Sequence, residues 1–167
     1  FYRRVRSRLE PGGVFCQWIQ LYELSPETFA SMVASFLEVF TEGQVFSVWR
    51  ASDVLLVAVP DGRRLALERL ESPAARRLLE RARIHSPAGV AGYYADRLAA
   101  LRPVGRGAPL NLDDRPIVEY RAPRDLVAVG RTSLRGDPAV AALVPFAEGR
   151  PEGPLFSAGA EEGGDGS

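Results

Sequence analysis

Residues 44–59 read QVFSVWRASDVLLVAV, two apolar runs rich in β-branched and aromatic residues. Such runs are typical of buried strands. Only Arg50, Ala51 and Ser52 join them, whereas a parallel return needs a crossover of about a dozen residues or more. The sequence therefore predicts two antiparallel strands, near residues 44–50 and 53–59.

The segment before this hairpin has the periodicity of a helix. Ser25 is suited to cap it and Pro26 to occupy its first position. Leu24 and Phe29 are spaced for a hydrophobic staple across that cap. An apolar stripe at i, i+3, i+4 and i+7 spacing predicts a helix with one face on a sheet. The stripe consists of Phe29, Met32, Val33, Phe36, Leu37 and Phe40.

The first twenty residues predict a helix and then a strand. FYRRVRSRL (residues 1–9) has helical spacing, and Pro11, Gly12 and Gly13 end the helix. VFCQWIQLY (residues 14–22) is nearly continuously apolar, which predicts a strand near 14–20 that is covered on both faces. Strands of this kind usually follow several earlier βα units, so we expect the front half of the domain to lie upstream of Phe1.

Helix, strand, helix and hairpin in this order predict an α/β fold. The class I methyltransferase-like Rossmann sheet closes in this way, with its last strand inserted between the two preceding ones. We therefore predict that residues 1–60 are the C-terminal part of such a sheet, ending in an antiparallel hairpin. A small region of helices and extended chain, residues 61–129, is expected to pack on it. Residues 130–167 are rich in Gly, Pro, Ala and Glu and are predicted to be a disordered tail.

The middle region predicts three short helices, within residues 63–71, 72–84 and 86–102. Leucines such as Leu78, Leu98 and Leu101 are expected to face inward. Residues 103–126, which are punctuated by proline, are predicted to be extended.

Composition excludes several classes of protein. The net charge is zero, which argues against a nucleic-acid partner. A single cysteine, Cys16, excludes an internal disulfide and a thiolate zinc cluster, and we expect no metal site. No apolar run reaches the ~20 residues that span a bilayer. Gly12 and Gly13 cannot form a phosphate loop, because no helix follows them directly.

Two polar residues interrupt the first predicted strand. Gln17 and Gln20 would be buried amides, which need hydrogen-bond partners. At the carboxyl end of a strand such an amide can bind a substrate. The structural alternative is an amide that pairs with a neighbouring loop.

A second polar cluster lies at residues 111–119, with Asn111, Asp113, Asp114, Arg115 and Glu119. Paired carboxylates can bind a polycation or a metal. They can equally stabilise a turn, because Asp at a turn bonds its own backbone and Arg115 would neutralise it.

Residues 1–40, the hairpin and APLNLDDRPIVEYRAPRDL (residues 108–126) together resemble the C-terminal part of bacterial spermidine synthase-like proteins. These proteins are often fused to membrane-spanning helices. The resemblance covers roughly residues 1–127 and rests on L-x-P-G-G-x-F-x-Q and N-x-D-D-R-P-x-x-E-Y-R-x-P-R. The N-x-D-D motif falls on Asn111, Asp113 and Asp114, with Leu112 where the family commonly has Thr.

The resemblance implies aminopropyl transfer from decarboxylated S-adenosylmethionine to a diamine, in polyamine biosynthesis. The family's strand glutamine, which lines the diamine pocket, matches Gln17. Its glycine-rich nucleotide loop, ribose-binding acid and catalytic aspartates would all precede Phe1, so no catalytic residue is assigned here. We expect a cytoplasmic protein, or the cytoplasmic domain of a membrane-anchored one.

Two other functions stay open. One is a non-catalytic Rossmann-like domain that binds a ligand or regulates a membrane-fused protein. The other is an S-adenosylmethionine-dependent methyltransferase. In each case the missing N-terminal half of the domain would be the main partner. The chain alone is expected to be inactive, to bind no cofactor, and to self-associate through the exposed edge of its sheet.

Overall fold

The computed structural model describes residues 1–48, 53–63 and 67–128. These residues divide into two compact units, one with residues 1–48, 53–63 and 93–128 and the other with residues 67–92. The link between the predicted hairpin strands and the predicted tail both lie outside the described residues.

The first unit contains a four-stranded sheet within the described residues. Its strands are β1 (Phe15–Gln20), β2 (Gly43–Val48), β3 (Asp53–Ala58) and β4 (Tyr94–Arg97), in the order β1-β3-β2-β4. All neighbouring strands are antiparallel. The antiparallel pairing of β2 with β3 confirms the hairpin predicted from the sequence. Because β3 is antiparallel to both of its neighbours, β1 and β2 run parallel to each other on either side of it.

One face of this sheet packs on helix α2 (Pro26–Leu37). The Ser25 hydroxyl accepts from the Thr28 N–H at 3.3 Å, as the predicted N-cap requires. Phe29, Val33 and Phe36 are fully buried in the same core as the apolar residues of β2 and β3. Each contributes about 1.5–3 kcal/mol by leaving water. The predicted apolar stripe is therefore the face of the helix that carries the core.

Strand β1 is covered on one face only, so the prediction of two covered faces is wrong. Ile19 is 2% exposed, while Cys16 is exposed and Trp18 keeps 51% of its surface in contact with solvent. Side chains alternate between the faces of a strand, and only the face that carries Ile19 meets α2. Within the described sheet β1 is also an outer strand, with β3 as its one partner.

Three helices complete the first unit: α1 (Tyr2–Arg6), α5 (Arg102–Gly105) and α6 (Ile117–Ala128). Both α5 and α6 pack against α2. At Gly105 the backbones are so close that an added Cβ would lie 3.1 Å from the Cα of Ala34. The extended segment predicted for residues 103–126 is therefore wrong. Pro123 lies inside α6 and suggested a break, but packing on α2 stabilises a helix despite one missing N–H donor.

The third predicted helix, within residues 86–102, is divided. Helix α4 (Pro87–Ala91) ends at Gly92, and the chain then forms β4 and a 3₁₀ helix (Leu98–Leu101). The Tyr93 carbonyl accepts from the Ser47 N–H at 2.7 Å, which begins the pairing with the free side of β2. Leu98 and Leu101 are buried, as predicted.

The second unit holds a 3₁₀ helix (Leu67–Glu71), α3 (Pro73–Arg81) and α4. Residues 64–66 of the first predicted helix lie outside the described residues. The Ser72 and Ser86 hydroxyls accept from N–H groups three residues later, so both Ser-Pro pairs begin helices as predicted. Leu78 is 63% exposed, so its predicted inward orientation is wrong.

Candidate functional site

The polar segment between α5 and α6 is held in place by Asn111. Its backbone N–H donates to the Ser35 hydroxyl at 2.7 Å, and that hydroxyl donates to the Ser31 carbonyl at 2.7 Å. The Asn111 side-chain oxygen accepts from the Val118 N–H at 2.9 Å, at the start of α6. Its amide nitrogen lies 3.5 Å from a carboxylate oxygen of Glu119. Asn111 therefore caps α6 and ties it to α2.

Asp113 and Asp114 occupy the two central positions of a tight turn. The N–H groups of Leu112 and Arg115 donate to each other's carbonyls at 3.1 and 3.0 Å. Both carboxylates are exposed. Asp is favoured in turns. Formation of this turn is therefore sufficient to explain the acidic pair.

A cavity of about 520 Å³ lies between α1, α2 and this turn. Its carboxylates belong to Glu38, Asp113, Asp114 and Glu119, and its one guanidinium, Arg3, lies 3.5 Å from Glu38. We name it the acidic cavity. Exposed ion pairs contribute roughly 0–1 kcal/mol each, so these carboxylates can attract a cation only weakly and in a salt-sensitive way.

A second cavity, of about 480 Å³, lies on the other side of the same turn. We name it the arginine cavity. Its lining consists of Asp114, Arg115, Pro116, Ile117, Tyr120, Arg121 and Arg124. Thus the predicted polar cluster divides between two cavities, and Asp114 lines both of them.

Asp125 fastens α6 to the first turn of α2. One carboxylate oxygen accepts from the Ser25 N–H at 3.0 Å and from the Ser25 hydroxyl at 2.9 Å. Partial burial would raise the pKa of Asp125, but hydrogen bonds from Thr28 and Ser25 and the charge of Arg121 outweigh it and lower the pKa. No local signal links residues 100 positions apart, so the sequence did not reveal this contact.

Gln17 lies on the face of β1 that α2 covers, together with Phe15 and Ile19. Its amide nitrogen donates to the Trp18 carbonyl at 2.8 Å. Its oxygen lies 3.4 Å from the hydroxyl of Tyr2, which donates to it. Burial raises the pKa of Tyr2, so this phenol keeps its proton. Both ends of the Gln17 amide thus have partners within the chain.

Gln20 lies on the opposite face of β1 and faces Asp53 across the strand pair. Its amide nitrogen lies 3.4 Å from the Tyr22 carbonyl. Asp53 also faces Val48, the last residue of β2, so it lies between the carboxyl ends of the two parallel strands. Asp53 is 9% exposed, and one of its carboxylate oxygens has no hydrogen-bond partner among the residues that the structure describes. Sequence reasoning missed it, because an Asp at the start of a strand looks like a turn residue.

The two predicted glutamines therefore lie on different faces of the sheet, and neither lines the acidic or the arginine cavity. Among the described residues, no group of three or more His, Cys, Asp or Glu side chains could hold a metal ion. Within the same ranges, no helix combines the length and the apolar character that a bilayer crossing requires.

Comparisons with protein-family models, with curated proteins and with solved structures gave no match.

Proposed function

We propose that this chain is the C-terminal part of a spermidine synthase-like aminopropyltransferase. The observation that carries the proposal is the strand order β1-β3-β2, with β3 antiparallel between two strands that are parallel to each other. This is the closure that the sequence resemblance implies. In the described sheet β1 has β3 as its one partner, which also supports the proposal, because a Rossmann-like sheet would continue on the other side of β1 with further parallel strands.

The proposed reaction forms a C–N bond between an amine nitrogen and the aminopropyl carbon as the C–S bond breaks. The sulfur keeps the electron pair and leaves as methylthioadenosine, and a carboxylate accepts the proton of the attacking amine. The cofactor does not fit the described residues. The glycine turn at Gly12 and Gly13 leads into β1 and not from a strand into a helix. We therefore assign neither cofactor-binding nor catalytic residues to this chain.

The proposal gives this chain one wall of the diamine pocket. Gln17 and Gln20 lie on opposite faces of β1, so only one of them can face a pocket on a given side of the sheet. Gln17 carries the sequence resemblance, and Gln20 lies closer to the carboxyl edge where open α/β sheets bind ligands.

The test uses the whole protein that the gene encodes. Decarboxylated S-adenosylmethionine and putrescine are supplied, and methylthioadenosine and spermidine are measured. We expect turnover, with the KM for putrescine raised by Gln17→Ala if the pocket lies on the face of β1 that carries Ile19, or by Gln20→Ala if it lies on the face that carries Trp18. The proposal fails if neither product forms. A parallel assay with S-adenosylmethionine in place of its decarboxylated form will yield S-adenosylhomocysteine, and no methylthioadenosine, if the protein is instead a methyltransferase.

A non-catalytic binding or regulatory domain is the second candidate, and one observation favours it. The Gln17 amide already has partners at both ends, Tyr2 and the Trp18 carbonyl. A diamine would have to displace at least one of them. For this candidate the same assay would give no turnover with either sulfonium compound, while calorimetry on the whole protein would still detect ligand binding.

The chain by itself offers a direct check on its position in the fold. We expect calorimetric titration with S-adenosylmethionine, its decarboxylated form and putrescine to detect no binding. One or two amide hydrogen bonds, about 0.5–1.5 kcal/mol each, cannot offset the several kcal/mol that association costs. Micromolar binding of either sulfonium compound would contradict the assignment of this chain to the C-terminal part.

A further inference from the structure

The arginine cavity carries a feature that the proposed function does not use. Three guanidinium groups, from Arg115, Arg121 and Arg124, line it together with a single carboxylate, from Asp114. The cavity therefore has an excess of two positive charges in a chain whose net charge is zero. The described ion pairs involve none of the three arginines.

The nearest competing anion is engaged elsewhere. Asp125 is close enough to Arg121 for the arginine charge to lower its pKa. Its carboxylate accepts two hydrogen bonds from Ser25, however, and holds α6 on α2. It is not among the residues that line the cavity. Among the described residues, therefore, no carboxylate lies within ion-pair distance of any of the three guanidinium groups.

Backbone hydrogen bonds and helix contacts fix the Cα positions of these arginines. Arg121 and Arg124 are three residues apart in α6 and so share a helix face. The helix is anchored at one end by Asn111 and towards the other by Asp125. Arg115 ends the tight turn and exchanges two backbone hydrogen bonds with Leu112. The ligand would therefore meet arginines whose Cα positions are already set, which lowers the entropy cost of binding.

The chemistry of the lining selects the ligand class. Guanidinium groups bind phosphate oxygens in pairs and stay charged at all physiological pH values. Two excess positive charges match a phosphate dianion. Pro116 and Ile117 add apolar lining, and Tyr120, 69% exposed, adds an aromatic ring. The cavity is broadly open to solvent, so charge contacts more than enclosure would hold the ligand.

We propose that the arginine cavity binds a small phosphate monoester, with its phosphoryl group on Arg115, Arg121 and Arg124 and its organic part on Tyr120 and Ile117. This proposal does not rest on the proposed transferase function. The whole encoded protein can fail the transferase assay and still bind a phosphate monoester. It can equally be an active transferase that binds no phosphate monoester.

The test titrates the protein with inorganic phosphate and with adenosine 5′-monophosphate at constant ionic strength, followed by calorimetry and by the backbone amide NMR signals of α6. We expect the monoester to bind more tightly than inorganic phosphate. Arg121→Gln and Arg124→Gln should each weaken it roughly fivefold, and the double variant about 25-fold, as expected for partly exposed charge contacts. Tyr120→Ala should weaken the binding of the monoester and leave the binding of inorganic phosphate unchanged.

The matched control is the double variant Arg76→Gln, Arg77→Gln in α3, which removes the same charge from two exposed positions outside the cavity. Equal weakening in this control would overturn the proposal, because only overall charge would matter. The proposal would also be overturned if neither inorganic phosphate nor adenosine 5′-monophosphate binds at about 10 mM. Binding to phosphatidic acid vesicles without binding of the free monoester would replace the small molecule with a lipid headgroup. Circular dichroism checks that each variant is folded.

Discussion

The contact between Asp125 and Ser25 makes a strong prediction about stability. Asp125→Asn keeps the size of the side chain but removes the negative charge that faces the first turn of α2. In the folded chain one oxygen of this carboxylate accepts from both the N–H and the hydroxyl of Ser25, at 3.0 and 2.9 Å. The positive end of the α2 dipole lies at the same place. Loss of the charge should therefore loosen α6 from α2.

The expected loss follows from these contacts. Hydrogen bonds to a charged group contribute about 1.5–3 kcal/mol when well buried, and a charge at a helix N-terminus about 0.3–1 kcal/mol. Because Asp125 is only partly buried, solvent screening reduces both. We expect Asp125→Asn to lower the free energy of unfolding by about 1 kcal/mol, or about 2–4 °C in Tm for a chain of this size.

The pH dependence has a definite sign. The pKa of Asp125 is lowered in the folded state, so its contribution is present above the unfolded pKa of about 3.9 and is lost as pH falls through the folded pKa. Urea unfolding at pH 7 and below pH 4 should show the variant and the native chain converging at low pH. Asp113→Asn, at a carboxylate that is 96% exposed, removes the same charge and is the control. A loss at pH 7 no larger than that of the control would refute the reasoning.

Three other substitutions test separate contacts. Asn111→Ala removes the cap on Val118 and should lower the free energy of unfolding in urea by about 1 kcal/mol, while Asn111→Asp, which keeps an acceptor oxygen but places a second carboxylate beside Glu119, should recover only part of it. Asp53→Val removes a buried oxygen that has no partner within the described ranges and should raise the free energy of unfolding by about 1 kcal/mol; a lower free energy of unfolding would mean that the fold stabilises the carboxylate. Trp18→Lys places a charge on the outer strand β1 and should reduce self-association in sedimentation velocity; a native chain that is already monomeric would contradict this prediction.

Local patterns predicted the hairpin and α2 well, because both depend on neighbours in sequence. The two apolar runs are too close for anything but antiparallel pairing, and Ser25 with Pro26 marks the start of α2 independently of the rest of the chain. Each is a strong local signal, and the structure has the corresponding elements at nearly the predicted positions.

The segment after β3 could not be predicted in the same way, because distant contacts determine it. Helix α6 is capped by Asn111, six residues before its first residue. It is held on α2 by the hydrogen bonds between Asp125 and Ser25, which lie 100 residues apart. Neither contact follows a local capping rule, and Pro123 pointed away from a helix. Strand β4 similarly exists because β2 has a free side to pair with. The two cavities depend on α6, so they were out of reach as well.

The sheet edge and the arginine cavity now stand as two separate places to look for function. Because β1 and β2 are parallel, their carboxyl ends meet at one edge, where open α/β sheets bind their ligands. Gln20 and Asp53 lie there, and one Asp53 oxygen has no hydrogen-bond partner in the described part of the chain. Glu23, just beyond β1, adopts φ 59°, a conformation that non-glycine residues rarely hold without a structural or functional reason. If this edge forms one wall of a diamine pocket, Asp53 gains an amine as its partner. Asp53→Val should then stabilise the fold and weaken the binding of the amine in the same protein. If Asp53→Val stabilises the fold without weakening amine binding, the sheet edge has only a structural role. The arginine cavity is then the stronger candidate for a binding site.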